Sequence, residues 1–105
     1  MYGTIARWRL KAGVTDEQLN GVLDIMRNDR PASSVAVIVY RSATDPREIW
    51  VAGAFESREA YVANAATPEQ NARFARIRAL IDGEPEWHDG DVLYAAAEQR
   101  ILVAP

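Results

Sequence analysis

The sequence predicts one α+β domain whose elements follow the order strand, helix, strand, strand, helix, strand. Several segments alternate with the period of two that is typical of strands. Others begin with helix-capping signals and continue with apolar residues at helical spacing. The chain has 105 residues, which is room for a single domain over 1–105.

Residues 2–11 form the first predicted strand. Their alternation gives two sides, Tyr2, Thr4, Ala6, Trp8 and Leu10 against Gly3, Ile5, Arg7, Arg9 and Lys11. A helix then begins at a capping box of Thr15 and Gln18. Pro31 ends that helix near residues 29–30. Its predicted buried face consists of Leu19, Val22, Leu23 and Met26.

Two further strands are predicted over 35–41 and 48–56. The first is almost entirely apolar, and the second alternates. The connection over 42–47 contains Asp45-Pro46, which is typical of a turn. A short connection between two strands predicts an antiparallel hairpin.

The second helical region is broken in two. Ser57 caps a short piece, and Thr67 caps a second one with Pro68 at its first position. The second piece is predicted to end at Gly83. Its apolar stripe is Phe74, Ile77, Leu80 and Ile81.

The end of the chain is predicted to hold the last strand. Residues 82–91 include five acids together with Trp87 and His88, and we interpret them as an acidic turn. The strand is then expected over 92–97, with 100–104 either extending it or crossing to a neighbouring subunit.

This order of elements predicts a ferredoxin-like βαββαβ arrangement, a four-stranded antiparallel sheet with its helices on one face. The strands carry apolar residues on both sides, so a solvated second face is unfavourable. A small chain also has a thin core. Pairing of the bare face with a second copy solves both problems, and we therefore predict a homodimer.

Composition excludes several classes of function. The chain lacks cysteine, which removes disulfides and thiolate metal sites. A net charge of −3 disfavours nucleic-acid binding. The six glycines are scattered, so no phosphate-binding loop is present. No signal-peptide pattern or membrane-length apolar run occurs, and we therefore expect a cytoplasmic protein that binds no membrane. With no cysteine and a single histidine, we also expect no metal site.

Three segments carry a resemblance to a known family. FESREAY at 55–61, TPEQ at 67–70 and EPEWHDG at 84–90 resemble the antibiotic biosynthesis monooxygenase family of the dimeric α+β barrel superfamily. The resemblance implies a homodimer with a cleft between sheet and helices in each subunit. It also implies oxygenation of small aromatic, polyketide-like substrates by molecular oxygen, without a metal or flavin cofactor.

A haem-opening branch of that superfamily uses an Asn, a Trp and a His at positions that align with Arg7, Asn64 and Phe74. All three differ here, which argues against haem degradation. Many other members carry a His where this chain has Asn64.

Three residues are candidates for catalysis: Arg7, Asn64 and Tyr61. By the alignment Arg7 faces the helices, where it would bind an anion or phenolate, and the alternative is a salt bridge to Asp24, Glu56 or another helix acid. Asn64 and Tyr61 would hydrogen-bond a substrate oxygen. For Asn64 the alternative is a solvated helix end.

The candidates for substrate binding are Tyr40, Trp50, Phe74 and His88. The aromatic residues among them have ordinary core packing as the alternative. His88 is the only histidine and a general-base candidate, with a solvated turn residue as the alternative. Trp8, on the other side of its strand from Arg7, is interpreted as dimer-interface packing.

Two other functions remain open on this scaffold. One is a non-catalytic small-ligand-binding or structural homodimer. The other is an isomerase or decarboxylase, in which Arg7 and a polar cleft residue stabilise an enolate.

Overall fold

A computed structural model of the chain describes residues 1–96. Within them no helix is long and apolar enough to cross a membrane. The order of elements agrees with the predicted α+β class. They are β1 (Tyr2–Arg9), α1 (Asp16–Asn28), β2 (Ser34–Arg41), β3 (Glu48–Phe55), α2 (Arg58–Ala65), α3 (Pro68–Arg78) and β4 (Glu86–Asp91).

The four strands form one antiparallel sheet in the order β2-β3-β1-β4. This is the ferredoxin-like arrangement that the sequence predicts. In the centre of the sheet, Arg7 lies opposite Trp50 on β3 and opposite Glu86 on β4. The register therefore assigns each side chain to one face of the sheet.

The predicted helix starts are confirmed. Thr15 and Gln18 form both bonds of a capping box at α1. The hydroxyl of Ser57 accepts from the Ala60 N–H, and that of Thr67 accepts from the Gln70 N–H. Each cap satisfies a backbone donor that the first helical turn leaves free.

The core lies between the helices and one face of the sheet. The predicted face of α1 contributes buried Leu19 and Val22, with Leu23 and Met26 packed beside them. The helix side of β1 and β3 supplies most of the other buried residues, which are Ala6, Trp8, Leu10, Ile49 and Val51.

The predicted end of the second helical region at Gly83 is wrong. Helix α3 ends at Arg78, and the residues after it pair with the end of β1. Leu10 and Ile81 form a β-bridge, and the Asp82 N–H donates to the carbonyl of Arg9 at 2.6 Å. These tertiary bonds replace the last helical turn, and Gly83, with φ +73°, lies in the turn that follows.

The predicted position of the last strand is also wrong. Strand β4 occupies Glu86–Asp91, inside the segment interpreted as an acidic turn. Residues 92–96 are not a strand, and residues 97 and 100–104 lie outside the described range. Because β4 is an edge strand held by backbone bonds to β1, it tolerates polar, exposed side chains.

The two faces of β1 are opposite to the sequence-based assignment. Trp8 points toward the helices and is 3% exposed, within the core. Arg7 lies on the other face. That face holds large apolar side chains in contact with solvent, among them Ile5 at 52%, Ile38 at 63% and Tyr40 at 54% exposure. We call it the open face.

Candidate functional site

A cavity of about 520 Å³ lies between the sheet and the helices. Its volume is in the range that is typical of small-molecule sites. The helix side of β1 and β3 forms its floor, and α2, α3 and the end of α1 form its walls. Residues that represent these elements are Thr4, Trp8, Met26, Val51, Tyr61, Asn64 and Phe74.

A tyrosine–aspartate pair stands at the β4 edge of this cavity. The hydroxyl of Tyr61 donates to Oδ1 of Asp89 at 3.1 Å, and both residues line the cavity. Asp89 lies opposite Thr4 in the sheet. Tyr61 is held by its own helix and by aromatic contacts, with ring centroids 5.4 Å from Tyr2 and 5.3 Å from Phe55.

The environment of Tyr61 keeps its phenol protonated. Burial, together with the hydrogen bond to the Asp89 carboxylate, raises the pKa of Tyr61 to about 12. Both effects disfavour a second negative charge beside Asp89. At neutral pH the pair therefore consists of a protonated phenol that donates its hydrogen bond to a carboxylate.

Aromatic rings line another part of the cavity. The rings of Phe74 and Trp87 lie 5.7 Å apart, centroid to centroid, and both residues line the cavity. The guanidinium of Arg78 covers the ring of Phe74 at 4.6 Å from its centroid. This wall suits a flat apolar molecule.

Three of the predicted site residues meet in the cavity. Tyr61, Asn64 and Phe74 all line it. Asn64 is half-buried near the end of α2, and its backbone carbonyl accepts from the hydroxyl of Thr67 at 2.8 Å.

Arg7 does not face this cavity, and the predicted placement is wrong. Its Nε donates to Glu48 at 2.7 Å on the open face, and its Nη1 lies 3.6 Å from Glu86. The hydrogen bond and charge of Glu48 raise the pKa of Arg7, and Arg7 in turn lowers the pKa of Glu48. Arg7 therefore forms salt bridges, as in the alternative that we considered, but with acids of the neighbouring strands and not with Asp24, Glu56 or another helix acid.

Tyr40, Trp50 and His88 also lie outside the cavity, on the open face. Tyr40 and Trp50 are a cross-strand pair, and the indole N–H of Trp50 donates to Glu48 at 3.0 Å. His88 is exposed and hydrogen-bonds Glu86 at 2.8 Å. It is part of β4, so the interpretation as a turn residue is wrong as well.

Asp89 and Trp87 are the two cavity residues on β4 that the sequence-based prediction missed, and Arg30 and Arg73 also line the cavity without having been predicted. The two β4 residues stand two positions apart, and therefore share one face. The alternation of Glu86 and His88 with Trp87 and Asp89 was a signal for a strand, but the density of acids favoured a turn.

Within residues 1–96 no group of three His, Cys, Asp or Glu side chains has the arrangement needed to hold a metal ion. No protein-family model matches the sequence, and no curated protein matches it significantly.

Solved structures do match, over nearly the whole chain. A candidate antibiotic biosynthesis monooxygenase from Chloroflexus aurantiacus has a TM-score of 0.74 and 23% identity, over 91% of this chain and 96% of that one. A mutant of SnoaB, a cofactor-independent oxygenase from Streptomyces nogalater, has a TM-score of 0.75 and 13% identity, over 92% and 97%. A candidate antibiotic biosynthesis monooxygenase from Nitrosomonas europaea has a TM-score of 0.68 and 17% identity, over 90% and 100%.

At these identities the likeness establishes the fold. It agrees with the resemblance carried by residues 55–61, 67–70 and 84–90. The chain has the ferredoxin-like α+β fold of the structures named antibiotic biosynthesis monooxygenases.

Proposed function

We propose that the protein is a cofactor-independent monooxygenase of a small aromatic substrate that carries an acidic phenol or enol. The observation that carries this proposal is the Tyr61–Asp89 pair, which stands at the exposed β4 edge of a largely apolar cavity. The fold shared with a protein named as a cofactor-independent oxygenase supports it.

The pair supplies what such a reaction requires of a protein. The Asp89 carboxylate accepts the proton of the substrate and, once protonated, no longer needs the hydrogen bond from Tyr61. The Tyr61 hydroxyl then turns to donate to the oxygen on which negative charge develops. The Asn64 amide offers a further hydrogen bond from the wall of the cavity.

The resulting carbanion or phenolate reduces molecular oxygen. For a substrate with a CH₂ group between two aromatic rings, one oxygen atom of O₂ enters the product as a ketone. The other leaves as water, with the two hydrogens of the CH₂ group. The carbon is oxidised and O₂ is reduced, so no external reductant is needed.

Oxygen uptake with a panel of anthrones and hydroquinones tests this function. We expect uptake by the wild type and incorporation of one labelled atom from ¹⁸O₂ into the ketone formed from an anthrone. Asp89→Asn should lower the rate about 100-fold, a typical loss for a general base. Asp91→Asn is the matched control, because Asp91 is exposed on the same strand and does not line the cavity.

Equal rates for the two aspartate variants would remove Asp89 from the reaction. Tight binding of the panel without uptake by the wild type would contradict the oxygenase and indicate a ligand-binding protein.

We further propose that the open face pairs with a second copy of the chain. Ile5, Ile38 and Tyr40 leave more than half of their surfaces in contact with solvent on one sheet face. An apolar face of this kind is unusual for a monomer. A second copy buries it sheet against sheet and leaves both cavities accessible on the outer, helical sides.

Light scattering at micromolar concentration should give twice the chain mass of 11.7 kDa for the wild type. Ile38→Asp places a charge in the centre of the proposed interface and should shift the protein to monomer. Val62→Asp is the control, because Val62 is 56% exposed on α2, away from the sheet. A monomeric wild type would contradict the dimer.

A further inference from the structure

The cavity has a charged end where α1 leads into β2. Arg73 of α3 donates from Nη1 to Asp29, to Oδ2 at 2.7 Å and to the backbone carbonyl at 3.2 Å. Its Nε donates to Gln70 at 3.0 Å. The Arg73 side chain is only 13% exposed and lines the cavity. These bonds hold its guanidinium in a fixed position, and within residues 1–96 none of them uses Nη2.

A second arginine, Arg30, also lines this end of the cavity. It follows Asp29 in the sequence, and its side chain is exposed. Its Nη2 donates to the hydroxyl of Ser34 at 3.1 Å and to the Ser34 carbonyl at 3.4 Å. Both partners are neutral, so among residues 1–96 no acid compensates the charge of Arg30. Two arginines and one aspartate together give this end of the cavity a net positive charge.

The other end of the cavity has the opposite character. Arg30 is anchored to Ser34 on β2, at one edge of the sheet, whereas Asp89 lies on β4, at the other edge. Three strand spacings separate these edges, or roughly 14 Å. The cavity thus runs across the sheet from a cationic end to the Tyr61–Asp89 pair.

We infer that the substrate carries a carboxylate, bound by Arg30 and Arg73, on an aromatic body that extends toward Tyr61 and Asp89. A guanidinium binds a carboxylate through charge-assisted hydrogen bonds, and Asp29 and Gln70 hold that of Arg73 in place at the cavity. The inference rests on the proposed function in that the cavity holds the substrate, and it adds the charge and orientation of that substrate.

Equilibrium binding of two inert probes tests the inference without turnover. The probes are 2-naphthoate and 2-naphthamide, which match in shape and differ in charge. For the wild type we expect the carboxylate to bind about tenfold more tightly than the amide, a preference equivalent to one charge-assisted contact. Arg73→Gln and Arg30→Gln should each lower this ratio severalfold.

Arg76→Gln is the matched control, since Arg76 is exposed on α3 and does not line the cavity. Each ratio compares the affinities of one variant for the two probes. A loss of stability lowers both affinities equally and therefore leaves the ratio unchanged. Equal affinities in the wild type, or an equal loss in Arg76→Gln, would overturn the inference while leaving oxygen uptake untouched. Failure of both probes to bind would overturn it together with the proposed aromatic site.

Discussion

Replacing Trp8 with alanine should lower the free energy of unfolding by about 4 kcal/mol, as expected for a fully buried tryptophan. Trp8 is 3% exposed and packs in the core with Ile49, which lies opposite it on β3. A domain of this size is stable by about 5–15 kcal/mol, so the loss is a large part of the total. Urea denaturation followed by circular dichroism measures it.

Two companion variants sharpen this prediction. The indole nitrogen of Trp8 is buried without a hydrogen-bond partner among the described residues. Trp8→Phe removes that donor and should cost less than about 1.5 kcal/mol. Trp50→Ala, on the half-exposed open face, should cost clearly less than Trp8→Ala at low protein concentration.

The dependence of the free energy of unfolding on protein concentration shows whether Trp8 lies in the core or in a dimer interface. If Trp8 were an interface residue, its alanine variant would change the dimer and leave the unfolding of the monomer unaffected. If the loss of stability in Trp8→Ala disappeared when the protein was diluted, this would contradict the position of Trp8 in the core.

The alternation in β1 predicted the strand but not which side faces the helices. One side holds Trp8 and the other holds Ile5, so both contain a large apolar residue. The charge of Arg7 is stabilised among the apolar side chains of the open face because Glu48 and Glu86 lie beside it on the neighbouring strands. Those partners are 41 and 79 positions away along the chain, and only the sheet register brings them together.

Helix starts were predictable because their signals are local. The hydroxyls of Thr15, Ser57 and Thr67 each cap a backbone donor three positions along the chain. Strand β4 has only the alternation over residues 86–89 as a local signal, and it is held by backbone bonds to the other end of the chain. The candidate site differs in the same way. Tyr61 and Asn64 lie on a helix whose start was predicted correctly, whereas Asp89 lies on the strand whose position was predicted wrongly.

The second large effect is expected at Gly3, in the centre of the sheet. Gly3→Ala should lower the free energy of unfolding by about 3 kcal/mol, the upper end of the usual cost of overpacking. A β-carbon at this position would collide with the backbone carbonyl of Gly53 and lie 3.2 Å from the Cα of Ala54. A backbone neighbour cannot move aside as a flexible side chain would, so the strands themselves must shift. The melting temperature should fall by more than roughly 10 °C.

Gly90→Ala provides the control from the neighbouring strand. Gly90 lies opposite Gly3 in the register of β1 and β4, and a β-carbon there meets no atom within 4 Å. Alanine loses less chain entropy than glycine on folding, so this variant should be neutral or more stable by up to about 1 kcal/mol. If both variants lost the same stability, the register between β1 and β3 would not be the one described, in which Gly3 lies opposite Ala54. A slip by one residue exchanges the faces of β1, and would return Arg7 to the cavity in place of Trp8.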